Sequence, residues 1–158
     1  MKSTVFVTLL LTTVLSLQAQ EKESLKTFEV YKSDADWKKQ LSGMEYYVLR
    51  RGGTEYAFTS ELLDEKRKGT YVCAACENPV FRSEYKYDSN SGWPSFDRPI
   101  EGSLVYNVDY EIGYERTEEK CGKCGSHLGH VFDDGPRATT GKRHCINGVA
   151  LKFIADAN

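Results

Sequence analysis

Four of the five cysteines fall in two Cys-x-x-Cys pairs, Cys73 with Cys76 and Cys121 with Cys124. Two such pairs can supply four thiolates to one tetrahedral zinc ion, and Gly122 and Gly125 suit the tight turn that wraps a ligand pair. The interval between the pairs is longer than in a compact zinc finger. The ion would therefore clip together two distant hairpins and stabilise the fold by closing a long loop. Four thiolates leave no open coordination position, which makes such a metal structural, one per chain. The competing arrangement is disulfide bonding, which suits an exported chain. A bridge inside either pair closes too small a loop to stabilise much; bridges between the pairs would do more. Paired spacing on both sides is what tetrahedral thiolate ligation requires and what a disulfide scaffold does not.

Cys145 is the odd cysteine left over, and an unpaired cysteine is often an inert small hydrophobe. Its neighbours argue for more. On a strand, Arg143, Cys145 and Asn147 point to one face, with successive side chains about 6.5–7 Å apart. A guanidinium beside a thiol favours the thiolate, the nucleophilic form, and an asparagine can orient a substrate group or a water. Two of the three histidines stand in "HLGHVFDDGP". A His-x-x-His pair can bind metal, but no third nitrogen or carboxylate ligand follows at a helical spacing, and His127 and His130 can equally be satisfied structural residues. Beside an activated cysteine, a protonated imidazole could hand a proton to an oxygen that is leaving or becoming basic.

These residues must be positioned by regular elements. "SDADWKKQL" offers Ser33 as a helix N-cap with Asp36 three residues on, and puts Trp37 and Leu41 one turn apart on one face. "TSELLDEKRKG" repeats that pattern, with Thr59 or Ser60 as cap and Gly69 as terminator, and predicts a second short helix. Elsewhere the period changes to two. In "SLVYNVDYEI", Leu104, Tyr106, Val108, Tyr110 and Ile112 alternate with Val105, Asn107, Asp109 and Glu111 as in a half-buried strand, and "RHCINGVALKFI" places Val149, Leu151 and Phe153 on one face. "TYVC" and "NPVFRS" are shorter strand candidates, so the chain beyond Gly69 is expected to be mostly antiparallel β.

A chain of 158 residues, 40% hydrophobic and 12% aromatic, suffices for one core and one domain. The formal charge of −2 comes with no basic run, which argues against a nucleic-acid partner. Lys2 precedes an apolar stretch from Val5 to Leu17, followed by "QAQ" and the charged "EKES". A helix of that length reaches about 20 Å, short of a roughly 30 Å hydrocarbon core. Residues 1–20 therefore read as a cleaved secretory signal for a secreted or periplasmic protein, 21–32 as a polar lead-in, and 33–156 as the domain. The alternative is an uncleaved membrane anchor, because Leu17 departs from a small-residue cleavage site.

Taken in order, "CAAC", "SGWPSF", "CGKCGSHLGHVFDDGP" and "RHCINGVALKF" resemble the methionine-R-sulfoxide reductases, the B type, over nearly the whole stretch from Trp37 to Phe153. The resemblance implies two antiparallel sheets forming a small open barrel, with short N-terminal helices and a structural zinc clip. It makes Cys145 the nucleophile, and His127, His130, Arg143 and Asn147 the residues that position and protonate the sulfoxide oxygen and favour the thiolate. Trp93 becomes the wall that receives the substrate methyl group, and Cys73, Cys76, Cys121 and Cys124 the zinc ligands. The implied reaction reduces the R epimer of methionine sulfoxide, in peptides, proteins or free, and leaves Cys145 as a sulfenic acid. Two positions depart from the family pattern. Gly148 stands where serine is common, and Ser91 stands where many members carry a resolving cysteine. An internal disulfide cannot then form, and a thioredoxin-like protein or a small-molecule thiol must reduce the sulfenic acid; the protein is expected to be a monomer. Two other readings are a non-enzymatic zinc-held β binding module, and a hydrolase with a second metal on His127 and His130.

Overall fold

The computed structural model describes residues 28–157. The expected signal segment lies outside the described residues, and among these no helix is long and apolar enough to cross a membrane. Residues 32–157 belong to one compact unit. Helix α1 (Asp34–Gln40) starts where expected: the Ser33 side chain accepts from the Asp36 N–H, and Trp37 is buried. Helix α2 (Gly43–Arg51) follows at once, with Ser42 and Glu45 forming a reciprocal capping box and Gly52 at φ 70° closing the helix. It buries Tyr46, Val48 and Leu49. This helix was not anticipated from the sequence, although its capping box is written there.

The remainder is β structure in two antiparallel sheets. One has the order β2-β1-β9, with β1 Gly69–Cys73, β2 Pro79–Arg82 and β9 Leu151–Ala155. The other has the order β3-β4-β8-β7-β6-β5, with β3 Lys86–Tyr87, β4 Ser95–Phe96, β5 Leu104–Asp109, β6 Arg116–Cys121, β7 His127–Phe132 and β8 Arg143–Ile146. The expected architecture is thus observed: mainly β, two antiparallel sheets, short N-terminal helices and no closed barrel. Aromatic rings join the sheets. Phe81 of β2 stacks on Phe96 of β4 at 4.2 Å between centroids, and Tyr71 of β1 meets Phe96 edge-on at 5.0 Å. All three are fully buried, so a large apolar area and favourable ring geometry act together where the sheets meet.

Three sequence expectations are corrected. "TSELLDEKRKG" makes only one 3₁₀ turn, Glu61–Leu63, capped by Ser60. The carbonyls of Leu63 and Glu65, which a longer helix would need, accept instead from Lys86 Nζ at 2.8 and 3.3 Å. The alternation through Leu104–Ile112 does not mark a half-buried strand: Tyr106 and Val108 on β5 are exposed, as are Tyr110 and Ile112 beyond its end. Alternation says which side chains share a face, not whether another layer covers that face, and β5 is an edge strand. "RHCINGVALKFI" is not one strand either. A 3₁₀ turn at Gly148–Ala150 lets the chain leave β8 in one sheet and enter β9 in the other.

Candidate active site and metal centre

The two Cys-x-x-Cys pairs occupy the β1–β2 and β6–β7 turns and have the same backbone design. Glu77 N–H donates to Cys73 O at 2.8 Å and Cys73 N–H to Asn78 O at 2.8 Å; Gly125 N–H donates to Cys121 O at 2.8 Å and Cys121 N–H to Ser126 O at 2.9 Å. The residue after each second cysteine is left-handed, Glu77 at φ 61° and Gly125 at φ 69°. The turns face each other so that all four sulfurs lie within 4.8 Å of one another. Cys73 and Cys124 Sγ are 3.8 Å apart, Cys76 and Cys121 Sγ 3.5 Å, and all five cysteines are free thiols. Four sulfurs about 2.3 Å from a central zinc stand about 3.8 Å from each other, so this donor set fits tetrahedral thiolate coordination. Arg50 of α2 reaches the second turn, donating to Cys124 O at 3.3 Å and Ser126 Oγ at 3.2 Å while covering the Trp37 ring at 5.0 Å. Both helices therefore brace the cluster.

Cys145 lies apart from that cluster, on β8. It is paired with His130 on β7 and with Ser95 on β4. Directly opposed residues on an antiparallel pair carry Cβ atoms about 4.5–5.5 Å apart, which puts His130 beside the thiol. A small open cavity of about 120 Å³ is lined by Cys145, His130, Asn147, Arg116 and two aromatic rings, Trp93 and Phe132. Trp93 is held by its indole N–H, which donates to Glu55 O at 3.2 Å. Phe132 is held from behind by the Arg143 guanidinium, 4.4 Å from its ring centroid. Arg143 is in turn gripped by Asp134 through two hydrogen bonds of 2.8 and 2.9 Å.

The two histidines are held differently. His130 Nε2 is 2.6 Å from Asp109 Oδ2, and Arg116 reaches the same oxygen at 2.5 Å. The Asp109 carboxyl is held down at about 2 by the Glu111 N–H, with His130 and Arg116 adding to the effect. An ionised carboxylate only accepts, so His130 Nε2 carries the proton and Nδ1 is the free ring nitrogen of the neutral form. Burial holds His130 below the usual imidazole value, against the upward pull of Asp109. His127 stands behind it, with the rings 5.3 Å apart. Its Nδ1 is 2.7 Å from Glu118, and its buried Nε2 has no hydrogen-bond partner among the described residues. It lines a different depression, with Glu118 and Arg50, rather than the Cys145 cavity.

Burial pushes the Cys145 thiol up, while the Ser91 hydroxyl, 3.8 Å from Sγ, and the Arg143 charge pull it back. Asn147 borders the cavity, but its amide is committed to the backbone: Oδ1 accepts from Glu55 N–H at 3.0 Å and Nδ2 donates to Leu128 O at 3.0 Å. The buried Glu55 then takes the N–H groups of Gly148 and Val149. A side chain at Gly148 would collide with Ser60 Oγ, which accounts for glycine here.

The cavity therefore gathers Cys145, His130, Trp93 and Asn147 directly, Arg143 through Phe132, and His127 only through His130. Sequence reasoning did not single out Asp109, Asp134, Arg116, Phe132 or Glu55. Asp134 and Phe132 stand inside the quoted "HVFDDGP"; Asp109 and Glu55 carried no local signal, because their partners are distant in the chain.

Fold and site together define a small two-sheet β protein with a four-cysteine cluster that could hold a metal ion and a cysteine–histidine pocket between two aromatic walls. The chain belongs to the SelR domain family, whose model matches residues 41–155. It is 56% identical over 127 residues to the peptide methionine sulfoxide reductase MsrB of Leptospira interrogans serogroup Icterohaemorrhagiae serovar Lai (strain 56601), covering 80% of this chain and 96% of that protein. It is 50% identical over 127 residues to the protein of the same name from Alteromonas mediterranea (strain DSM 17117 / CIP 110805 / LMG 28347 / Deep ecotype), covering 80% and 89%. A solved structure, the Mis18 "Yippee-like" domain, matches with a TM-score of 0.47 at 15% identity, covering 58% of this chain and all of that one.

Proposed function

We propose that this protein reduces the R epimer of methionine sulfoxide in peptides or proteins, with Cys145 as nucleophile. Membership of the SelR domain family and the names of its relatives support methionine sulfoxide reduction as the class of reaction. The observation that carries the residue assignment is the pairing of Cys145 with His130 across β7 and β8, between Trp93 and Phe132.

In the resting site a protonated thiol faces a neutral imidazole. The thiol proton passes to His130, whose Nε2–H stays on Asp109 so that the imidazolium is stabilised as it forms. The thiolate attacks the sulfoxide sulfur, and the proton is delivered to the oxygen, because bare oxide is a poor leaving group. Attack forms a bond between the two sulfurs; as the protonated oxygen passes to Cys145, that S–S bond and the substrate S–O bond break, so the substrate sulfur gains two electrons and the cysteine sulfur loses two. The products are methionine and a Cys145 sulfenic acid. His127 supports His130 from behind, and Asn147 holds the end of β8 in register with Glu55. With the substrate methyl against Trp93 and the oxygen toward His130, one epimer fits.

Ser91 cannot resolve the sulfenic acid, and the other four cysteines are grouped to hold zinc. Two external thiols, from a thioredoxin-like protein or a small molecule, therefore return Cys145 to the thiol, releasing water and forming their own disulfide. Export by the N-terminal segment would place this step outside the cytoplasm. The cysteine cluster would hold one zinc ion as a structural clip, with Cys73, Cys76, Cys121 and Cys124 as ligands and no part in the redox step.

The test is a single turnover of each sulfoxide epimer in a peptide, followed by the mass of the Cys145 peptide. The R form is expected to yield one methionine and one added oxygen on Cys145, and the S form neither. Turnover of the S form alone, or none by zinc-loaded protein, would overturn the assignment. Trp93→Ala should raise KM and weaken epimer choice.

A further inference from the structure

Ser91 does more than lack a thiol. Its Oγ lies 2.8 Å from Ser89 Oγ, which lies 2.7 Å from Ser95 Oγ, which donates to Trp93 O at 3.2 Å. The three hydroxyls form an unbroken line from Cys145 Sγ to the far side of Trp93. There Ser89 and Ser95 border a separate open cavity of about 320 Å³.

Each hydroxyl has one proton, so the line can be oriented in only two ways. When Cys145 is a thiol, S–H donates to Ser91, Ser91 to Ser89, Ser89 to Ser95, and Ser95 to the Trp93 carbonyl; four donors meet four acceptors. When Cys145 is a thiolate, Ser95 donates to Ser89, Ser89 to Ser91, and Ser91 to the sulfur; three donors meet three acceptors, and the bond to Trp93 O is released. No hydroxyl is left without a partner in either state. The two end bonds that change, 3.8 Å at sulfur and 3.2 Å at the carbonyl, are the longest in the line.

We propose that Ser91, backed by Ser89 and Ser95, is a catalytic hydroxyl that stabilises the Cys145 thiolate by reversing the direction of this hydrogen-bonded line. The reading rests on Cys145 being the nucleophile. Ser91 touches the reacting sulfur, and Ser89 and Ser95 are positioning residues that act through it. The line supplies a donor that a sulfur acceptor gains only on ionising, a charge-assisted bond stronger than the neutral one it replaces. The other charged or titratable groups around the thiol are Arg143 on its own strand, His130 on β7, Arg116 and Glu119 on β6, and Tyr87 on β3. The Ser91 hydroxyl and the Arg143 guanidinium both lower the thiol against its burial.

The experiment follows iodoacetamide alkylation of Cys145 in the zinc-loaded full-length chain as a function of pH, read by peptide mass. In Ser91→Ala the midpoint should move to higher pH. At neutral pH the thiolate fraction should drop about tenfold, and the rate about threefold, because a more basic thiolate is intrinsically more nucleophilic. Ser91→Thr should restore the parental midpoint, while Ser91→Val, of the same shape without the hydroxyl, should behave like alanine. Ser95→Ala should shift the midpoint in the same direction by less. An unchanged midpoint in Ser91→Ala, or identical behaviour of the threonine and valine variants, would overturn the proposal. Alkylation needs no sulfoxide, so this outcome is independent of the epimer test: a failed relay leaves reductase turnover intact, and a failed turnover leaves the midpoint shift readable.

Discussion

At the scale of the residue, function depends on which groups are held and by what. Cys145 is poised between burial, which disfavours its charge, and the Ser91 hydroxyl and Arg143, which favour it. The proximity of Ser91 makes a direct test possible. In place of the proposed sulfenic acid, Ser91→Cys should give after one turnover a disulfide between the introduced thiol and Cys145, since the present Oγ is 3.8 Å from Sγ. The check is the mass of the linked peptides, and a lasting sulfenic acid in that variant would contradict the geometry. The Asp109–His130 pair carries a pH signature. His130 is lowered from 6.5 in the fold, so the unfolded chain takes up a proton that the native site resists, and stability falls as pH drops through about 6.5. Asp109 is lowered from 3.8 to about 2, so its contribution is intact above 3.8 and is lost as pH falls toward 2. Asp109→Asn should remove the second loss while lowering single-turnover rate, as followed by denaturant melts across the acid range.

At the scale of the element, two hairpin turns of the same design bring four sulfurs together, yet they differ at one position. Gly125 adopts φ 69° at no cost, whereas Glu77 adopts φ 61° with a side chain. A left-handed non-glycine residue costs about 1–2 kcal/mol, and glycine gives back part of that through its freer unfolded chain. Glu77→Gly should therefore stabilise the zinc-loaded protein by about 0.5–1 kcal/mol, seen as a higher denaturant midpoint at unchanged slope. Loss of the exposed pair with Lys152, 3.6 Å away, subtracts little from this. The segment after α2 has a comparable positioning role. Through Glu55 it fixes the Trp93 indole, the Asn147 amide and the start of the 3₁₀ turn that carries the chain between sheets.

For the whole molecule, the four-cysteine cluster and the pocket share strands. β6 ends at Cys121 and β7 runs from His127 to Phe132, so a metal held by the cluster would set where β7 begins and thereby where His130 meets Cys145. A chelator strong enough to strip the cluster should lower the melting temperature and abolish turnover together, with four further thiols becoming titratable. A reductant alone should do neither, because no disulfide is present among the described cysteines.

Much of this was written locally. The paired Cys-x-x-Cys spacing, the Ser33 cap, the strands at "TYVC" and "NPVFRS" and the motif around Cys145 were legible because each depends on neighbours a few residues away. The Ser42–Glu45 capping box was equally local and was overlooked. Tertiary structure alone decided the rest. It left the middle of β5, Val105 to Val108, exposed on both faces, since alternation carries no information about a covering layer. It split "RHCINGVALKFI" between two sheets and assigned Asp109 to His130, Asp134 to Arg143 and Glu55 to Asn147. It also turned three nearby serines into a line ending on Cys145. Residue types and short spacings are fixed by the covalent chain, but a hydrogen-bond partner is chosen only when strands from different parts of the chain come into register.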